Sequence, residues 1–114
     1  MEVLHSIMSD FFQFCSTSKE IKSFFLKHYG FELLIRLYDF GVADADNGID
    51  DTLASIKLNT PRREAFSTFI DFLVSNGAVL ERTSTTKKSK KVLRLSASTQ
   101  DQMDEMMALL KTLG

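Results

Sequence analysis

Residues 59–96 read NTPRREAFSTFIDFLVSNGAVLERTSTTKKSKKVLRLS, and the spacing of apolar residues changes halfway along. Before Gly77, Phe66, Phe69, Ile70 and Leu73 recur at helical intervals with Phe72 and Val74 beside them, while Glu64, Ser67, Thr68, Asp71 and Ser75 fall on the other side. Thr60 as N-cap and Pro61 at the first helical position set the start of this helix, and Asn76-Gly77 closes it. After Gly77 the pattern is extended. Ala78 to Arg82 and Lys91 to Ser96 predict two strands joined by an eight-residue polar tip, Thr83 to Lys90. Leu93 and Leu95 share one face of the second strand and Val92 and Arg94 the other, so one side can lie on the helices.

Working outward, Leu4, Met8, Phe11, Phe12 and Cys15 sit at helical spacing, widened by Val3, Ile7 and Phe14. Thr17-Ser18-Lys19-Glu20 has the form of a capping box, with Thr17 as cap and Glu20 reaching back. Ile21, Phe24, Phe25 and His28 then predict a helix from about 18 to 29, ended by a left-handed Gly30. Leu33, Leu34, Leu37 and Tyr38 form another stripe that stops at Gly41. Asp39, Asp44, Asp46, Asp50 and Asp51 around Asn47-Gly48 read as an exposed acidic loop leading into a short helix marked by Ile49, Leu53, Ile56 and Leu58. A calcium loop fails on spacing: with Gly48 at its sixth position, alanines 43, 45 and 54 fall where the first, third and twelfth ligands belong. From Ser98 a last helix carries Met103, Met106, Met107, Leu110 and Leu113, capped by Ser98 with Asp101 or by Thr99 with Gln102.

The 114 residues, 44% hydrophobic and 25% charged, bound the expectation to one globular domain spanning 1–114. A net charge of −1 conceals a strong polarity. Residues 57–94 hold nine basic side chains against three acidic ones, so this segment is +6 and the remainder −7. The lone Cys15 excludes an internal disulfide framework and a multi-cysteine zinc module. The N-terminus, with Glu2 and Asp10 and no basic start, does not read as a signal peptide, and no run of apolar residues is long enough for a membrane span. A cytoplasmic location is the default expectation.

Helix, short helix, turn, helix and hairpin is the order of a winged helix-turn-helix, mainly α with a small β-hairpin. Here the sequence resembles a family. The run LNTPRREAFSTFIDFLVSNGAVLER (58–82) followed by a basic tip and KKVLRLS (90–96) is similar to the winged-helix core of the MarR/SarA-type bacterial transcription regulators. The resemblance implies a core over 31–96, flanking helices over 1–29 and 98–113 that join two copies, and binding to double-stranded DNA. The wing departs from the family's Asp-x-Arg, offering only lysines between Thr83 and Lys91.

The expected function is therefore a homodimeric, sequence-specific DNA-binding transcription regulator, with residues 60–75 in the major groove and 82–91 on the flanking backbone. Candidate DNA-binding residues are Thr60, Arg62, Arg63, Ser67, Thr68, Arg82, Lys87, Lys88, Lys90 and Lys91. Candidate dimer-interface residues are Leu4, Met8, Phe11, Phe12, Met103, Met106, Met107 and Leu110. The aromatics of the first forty residues leave room for a small-molecule effector that the sequence does not identify. Cys15, His5, His28 and Asp10 lack productive catalytic or metal spacing, so no enzyme activity, metal or cofactor is expected. The alternative is a winged-helix protein-interaction module or antagonist without DNA binding, motivated by the acidic half of the chain and by Glu64 and Asp71 on the candidate recognition helix.

Overall fold

The helical and extended spacings become six helices and one hairpin in the computed structural model, which describes residues 2–111; in the first helix it describes no side chain at 2–4, 7, 11, 14, 15 and 17. In chain order these are α1 (Glu2–Thr17), α2 (Lys19–Phe24), α3 (Gly30–Ala43), α4 (Ile49–Ser55), α5 (Arg63–Ser75), β1 (Val79–Thr83), β2 (Lys91–Leu95) and α6 (Ala97–Lys111). The expected side chains Leu4, Phe11 and Cys15, and residue 113, lie outside what is described.

The helix expected over 18–29 is shorter and capped differently. Ser18, not Thr17, stands at its N-cap, its hydroxyl accepting from the Ile21 N–H at 3.3 Å. Glu20 does not reach back, because Ser96, Ser98 and Thr99 at the start of α6 all donate hydroxyls to it. The helix tightens at Phe25 and Leu26 through bonds to the carbonyls of Lys22 and Ser23, and the chain turns to begin α3 at Gly30. Gly30 does not adopt the left-handed conformation. It is required by proximity instead: a Cβ there would stand 1.4 Å from the Phe24 carbonyl oxygen. α3 also runs past Gly41 to Ala43, and Asp44 takes the left-handed cap position at φ 49°.

The inner face of α5 follows the reading from spacing. Phe66, Phe69, Ile70 and Leu73 are buried, and each such side chain contributes on the order of 1.5–3 kcal/mol relative to exposure. They pack with Ile21, Phe24, Leu33, Leu34 and Leu37 in one core cluster that also takes Val79, Leu93, Leu95 and Met103. Tyr29 joins the rings of Phe66 and Phe69, edge-on to the latter with centroids 5.6 Å apart. Gly77, at φ 85°, makes the corner into the hairpin. The hairpin is antiparallel, with Val79 opposite Leu95 and Thr83 opposite Lys91. Its tip is seven residues, Ser84 to Lys90, because Thr83 belongs to β1.

Thr60 does not cap α5. Its hydroxyl donates to the Ile56 carbonyl at 2.9 Å, and the helix begins three residues later with Arg62 as an N-cap that makes no side-chain bond. The turn between α4 and α5 is fixed from outside: the Glu32 carboxylate accepts the backbone N–H groups of Lys57 at 2.9 Å and Leu58 at 3.0 Å, and Arg36 Nη2 at 3.4 Å. Burial alone would raise the Glu32 carboxyl, but these donors outweigh it and hold it below the ordinary range. Ser96, rather than Ser98 or Thr99, caps α6, accepting from the Thr99 N–H at 3.3 Å.

Candidate nucleic-acid interface

A helix whose inner ridge is phenylalanine-rich must turn its polar residues outward, and α5 does so with Glu64, Thr68, Asp71 and Ser75. Thr68 donates to the Glu64 carbonyl at 3.0 Å, so its hydroxyl is engaged within the helix; Ser67 is half-buried. The hairpin stands beside this helix. One cleft of about 510 Å³ is lined jointly by Asp50 and Asp51 of α4, Ile70 and Asp71 of α5, Glu81 of β1, and Lys87, Lys90 and Lys91 of the wing. The candidate recognition helix and the wing therefore share one surface.

That surface is less cationic than its composition. The aspartates of residues 44–51 fold back on it. Arg63 Nε pairs with Asp50 at 2.7 Å, Arg82 Nη2 with Asp44 at 3.0 Å, and Lys90 Nζ with Asp51 at 2.7 Å and Asp46 at 4.0 Å. Arg94 is structural: it donates to Asn47 Oδ1 at 2.5 Å, to the Leu93 carbonyl at 3.0 Å, to Asp44 Oδ1 at 3.3 Å and to the Ala45 carbonyl. The hydroxyls of Thr86 and Ser84 and then the nearby Lys90 hold the Asp46 carboxyl below its ordinary range. Lys90, followed by the Gly48 N–H, does the same for Asp51.

The acidic stretch expected as a free loop is thus the inner partner of the wing. Five of the nine basic side chains stay exposed with no carboxylate at ion-pair distance among the described residues: Lys57, Arg62, Lys87, Lys88 and Lys91. Of the ten candidate DNA-binding residues, Arg62, Lys87, Lys88 and Lys91 are brought out as unpaired cations. Arg63, Arg82 and Lys90 are paired, Thr60 bonds within the turn and Thr68 within the helix, and Ser67 is half-buried.

Sequence reasoning missed Asn47. It is buried, its carbonyl accepts the Leu93 N–H at 3.0 Å and its amide donates to Leu93 O at 3.2 Å and Thr52 Oγ1 at 3.0 Å, binding the loop to β2 almost as a third strand would.

The candidate dimer residues divide. Met103 and Met106 are buried within the chain and Met107 is packed against its core, so these methionines fill the interior rather than face a partner. Met8 and Phe12 on α1 are 63% and 74% exposed, and Leu110 with its neighbour Leu109 on α6 is 40% exposed. His5, Asp10 and His28 are exposed, and no group of three or more metal-ligating side chains occurs among the described residues. No described helix is long and apolar enough to cross a membrane.

No protein-family model matches the sequence, and no curated protein matches it. Among solved structures the chain is similar to the heme sensor protein PefR, determined in complex with heme and carbon monoxide. The match has 18% identity and a TM-score of 0.51, covering 96% of this chain and 73% of that one. The fold is a winged helix-turn-helix. In that frame α4 and α5 are the helix-turn-helix pair, and β1 with β2 forms the wing.

Proposed function

We propose that this chain is a cytoplasmic, homodimeric regulator of transcription of the MarR/SarA type that binds double-stranded DNA. Residues 60–75 enter the major groove, and the wing residues 82–91 meet the flanking backbone. The observation that carries this reading is that the unpaired Lys87 and Lys91 line the cleft shared by α5 and the wing, with the unpaired Lys88 next to Lys87 at the hairpin tip and the unpaired Arg62 at the N-cap of α5. Lysines at a hairpin tip neutralise phosphates without reading bases, so they supply affinity and register. The exposed Met8, Phe12, Leu109 and Leu110 on the terminal helices supply the apolar surface for a second copy.

The test is duplex binding by fluorescence anisotropy across a salt series, with light scattering of the same samples to give the subunit count. Replacing Lys87, Lys88 and Lys91 by Ala should reduce the slope of log K against log salt by about 2 to 3. An unchanged slope overturns the wing assignment.

A second reading is favoured by a specific observation. The outward ridge of α5 carries Glu64 and Asp71, and four cations of the same surface are already neutralised by Asp44, Asp46, Asp50 and Asp51. A winged-helix interaction module or antagonist fits that balance. Absence of duplex binding at low salt selects it.

A further inference from the structure

On the DNA-binding reading the lysines of the wing meet phosphates alone, so discrimination among base sequences falls to α5, whose first turns meet base edges. Its available polar side chains are few. Arg62, unpaired at the N-cap, precedes the helix, and Arg63 is drawn onto Asp50 at 2.7 Å. The Thr68 hydroxyl is engaged by the Glu64 carbonyl, and Ser67 is half-buried. Ala65 and Phe72 are exposed but apolar, Phe72 stacking on Phe69 with centroids 6.1 Å apart. Ser75 is the last residue of the helix, and Asp71, two turns beyond Glu64, lines the cleft that also holds Lys87, Lys90 and Lys91. Glu64 is what remains. It is the second residue of α5 and exposed, and its carboxylate makes no ion pair and no hydrogen bond among the described residues, although two arginines directly precede it. The helix dipole favours a carboxylate at this position, which keeps Glu64 compatible with α5 without giving it a partner.

Chemistry selects the partner. An ionised carboxylate only accepts hydrogen bonds, and the phosphates on either side of a groove repel it, so it is tolerated there only against a donor. The major groove offers two, cytosine N4 and adenine N6. In an A·T pair the amino group lies between two acceptors, adenine N7 and thymine O4. In a C·G pair only guanine O6 adjoins it, so cytosine is the less repulsive target.

We infer that Glu64 is a specificity-determining residue of α5, its carboxylate accepting from the N4 amino group of a cytosine in the bound duplex. This deepens the DNA-binding reading and rests on it. At every other base the same carboxylate meets no donor and is repelled, so it lowers affinity for arbitrary duplex and sharpens preference for the matching one.

The full chain is used to enrich a randomised duplex library, and the enriched duplex is measured by fluorescence anisotropy beside versions in which each C·G pair is changed in turn to T·A. One cytosine is expected whose change to thymine weakens binding about tenfold in the parent chain and less than about twofold in Glu64→Ala. Glu64→Ala should also bind a scrambled duplex several-fold more tightly. Glu64→Gln, whose amide both donates and accepts, should move the preference at that base pair from cytosine to adenine. A structural role at the helix start would weaken all duplexes alike and shift no preference, and circular dichroism verifies the fold of both variants. Enrichment without a required cytosine, undiminished discrimination in Glu64→Ala, or a preference unmoved in Glu64→Gln overturns the inference while duplex binding stands. Absence of binding to any duplex at low salt removes the DNA-binding reading and this inference with it.

Discussion

The base of the wing and the turn between α4 and α5 both bring acidic and basic residues together, and they handle them in opposite ways. At the wing, Asp44, Asp46, Asp50 and Asp51 face outward and capture Arg82, Arg94, Lys90 and Arg63. At the α4–α5 turn, Glu32 directs its oxygens chiefly to neutral backbone N–H groups, and Glu20 of α2, at the start of α6, accepts only hydroxyls. The first arrangement consumes cations, and the second leaves them free. A segment's formal charge therefore does not fix the potential of its surface; the identity of each carboxylate's partner does. The +6 segment thus divides: Arg63, Arg82, Lys90 and Arg94 are taken by Asp44, Asp46, Asp50 and Asp51, while Lys57 and Arg62 at its start have no carboxylate at ion-pair distance among the described residues.

Three changes would break or sharpen this contrast, taken from the largest effect to the smallest. Glu32→Ala strips the turn of its anchor and should cost about 2 kcal/mol in urea denaturation, since charge-assisted bonds to two N–H groups and a guanidinium disappear. Undiminished stability would mean that the turn holds itself.

Glu20→Gln should cost about 1 kcal/mol at neutral pH and, more tellingly, flatten the acid limb of the stability curve. Burial alone would raise the Glu20 carboxyl, but the hydroxyls of Ser96, Thr99 and Ser98 hold it below its ordinary value of 4.5. Its contribution is therefore complete above that value and fades as pH falls through the lower folded-state value. An acid limb identical in the variant would remove Glu20 as its source.

Asp50→Asn with Asp51→Asn frees Arg63 and removes the shorter of the two ion pairs of Lys90, leaving Asp46 at 4.0 Å, while an oxygen remains to accept the Gly48 N–H. Duplex affinity should rise several-fold at low salt and the salt slope steepen by about 2. Unchanged binding would show that the aspartates do not compete with phosphate.

Local pattern carried the architecture. The spacing of Phe66, Phe69, Ile70 and Leu73 predicts α5, because burial enforces a period that is written in a dozen consecutive residues; β2 forms where expected, but Val92 is as buried as Leu93 and Leu95, so apolar residues of both its faces are covered. Helix starts were less legible. Thr60 has the residue type of a cap but bonds backward to Ile56, and Ser96 caps α6 two residues before the expected position, since a hydroxyl can serve either direction of the chain. The neutralised cations were not legible at all. Asp44 meets Arg82 and Arg94 at separations of 38 and 50 residues, and no periodicity spans such distances. The basic tip was found, but which of its members remain available depended on the fold.

The fastening of the wing at its root has one more consequence. Arg94 and Asn47 rivet β2 to the loop before α4, Asp46 holds Ser84 and Thr86, and Ser84 N–H closes onto the Lys90 carbonyl at 2.9 Å. The tip itself is tied as well, the Lys87 N–H to Ser84 Oγ and its carbonyl to the Lys90 N–H, each at 3.1 Å. Most of the freedom that a loose arm would surrender on touching a partner has thus been given up during folding, and the hairpin should engage as part of a rigid body.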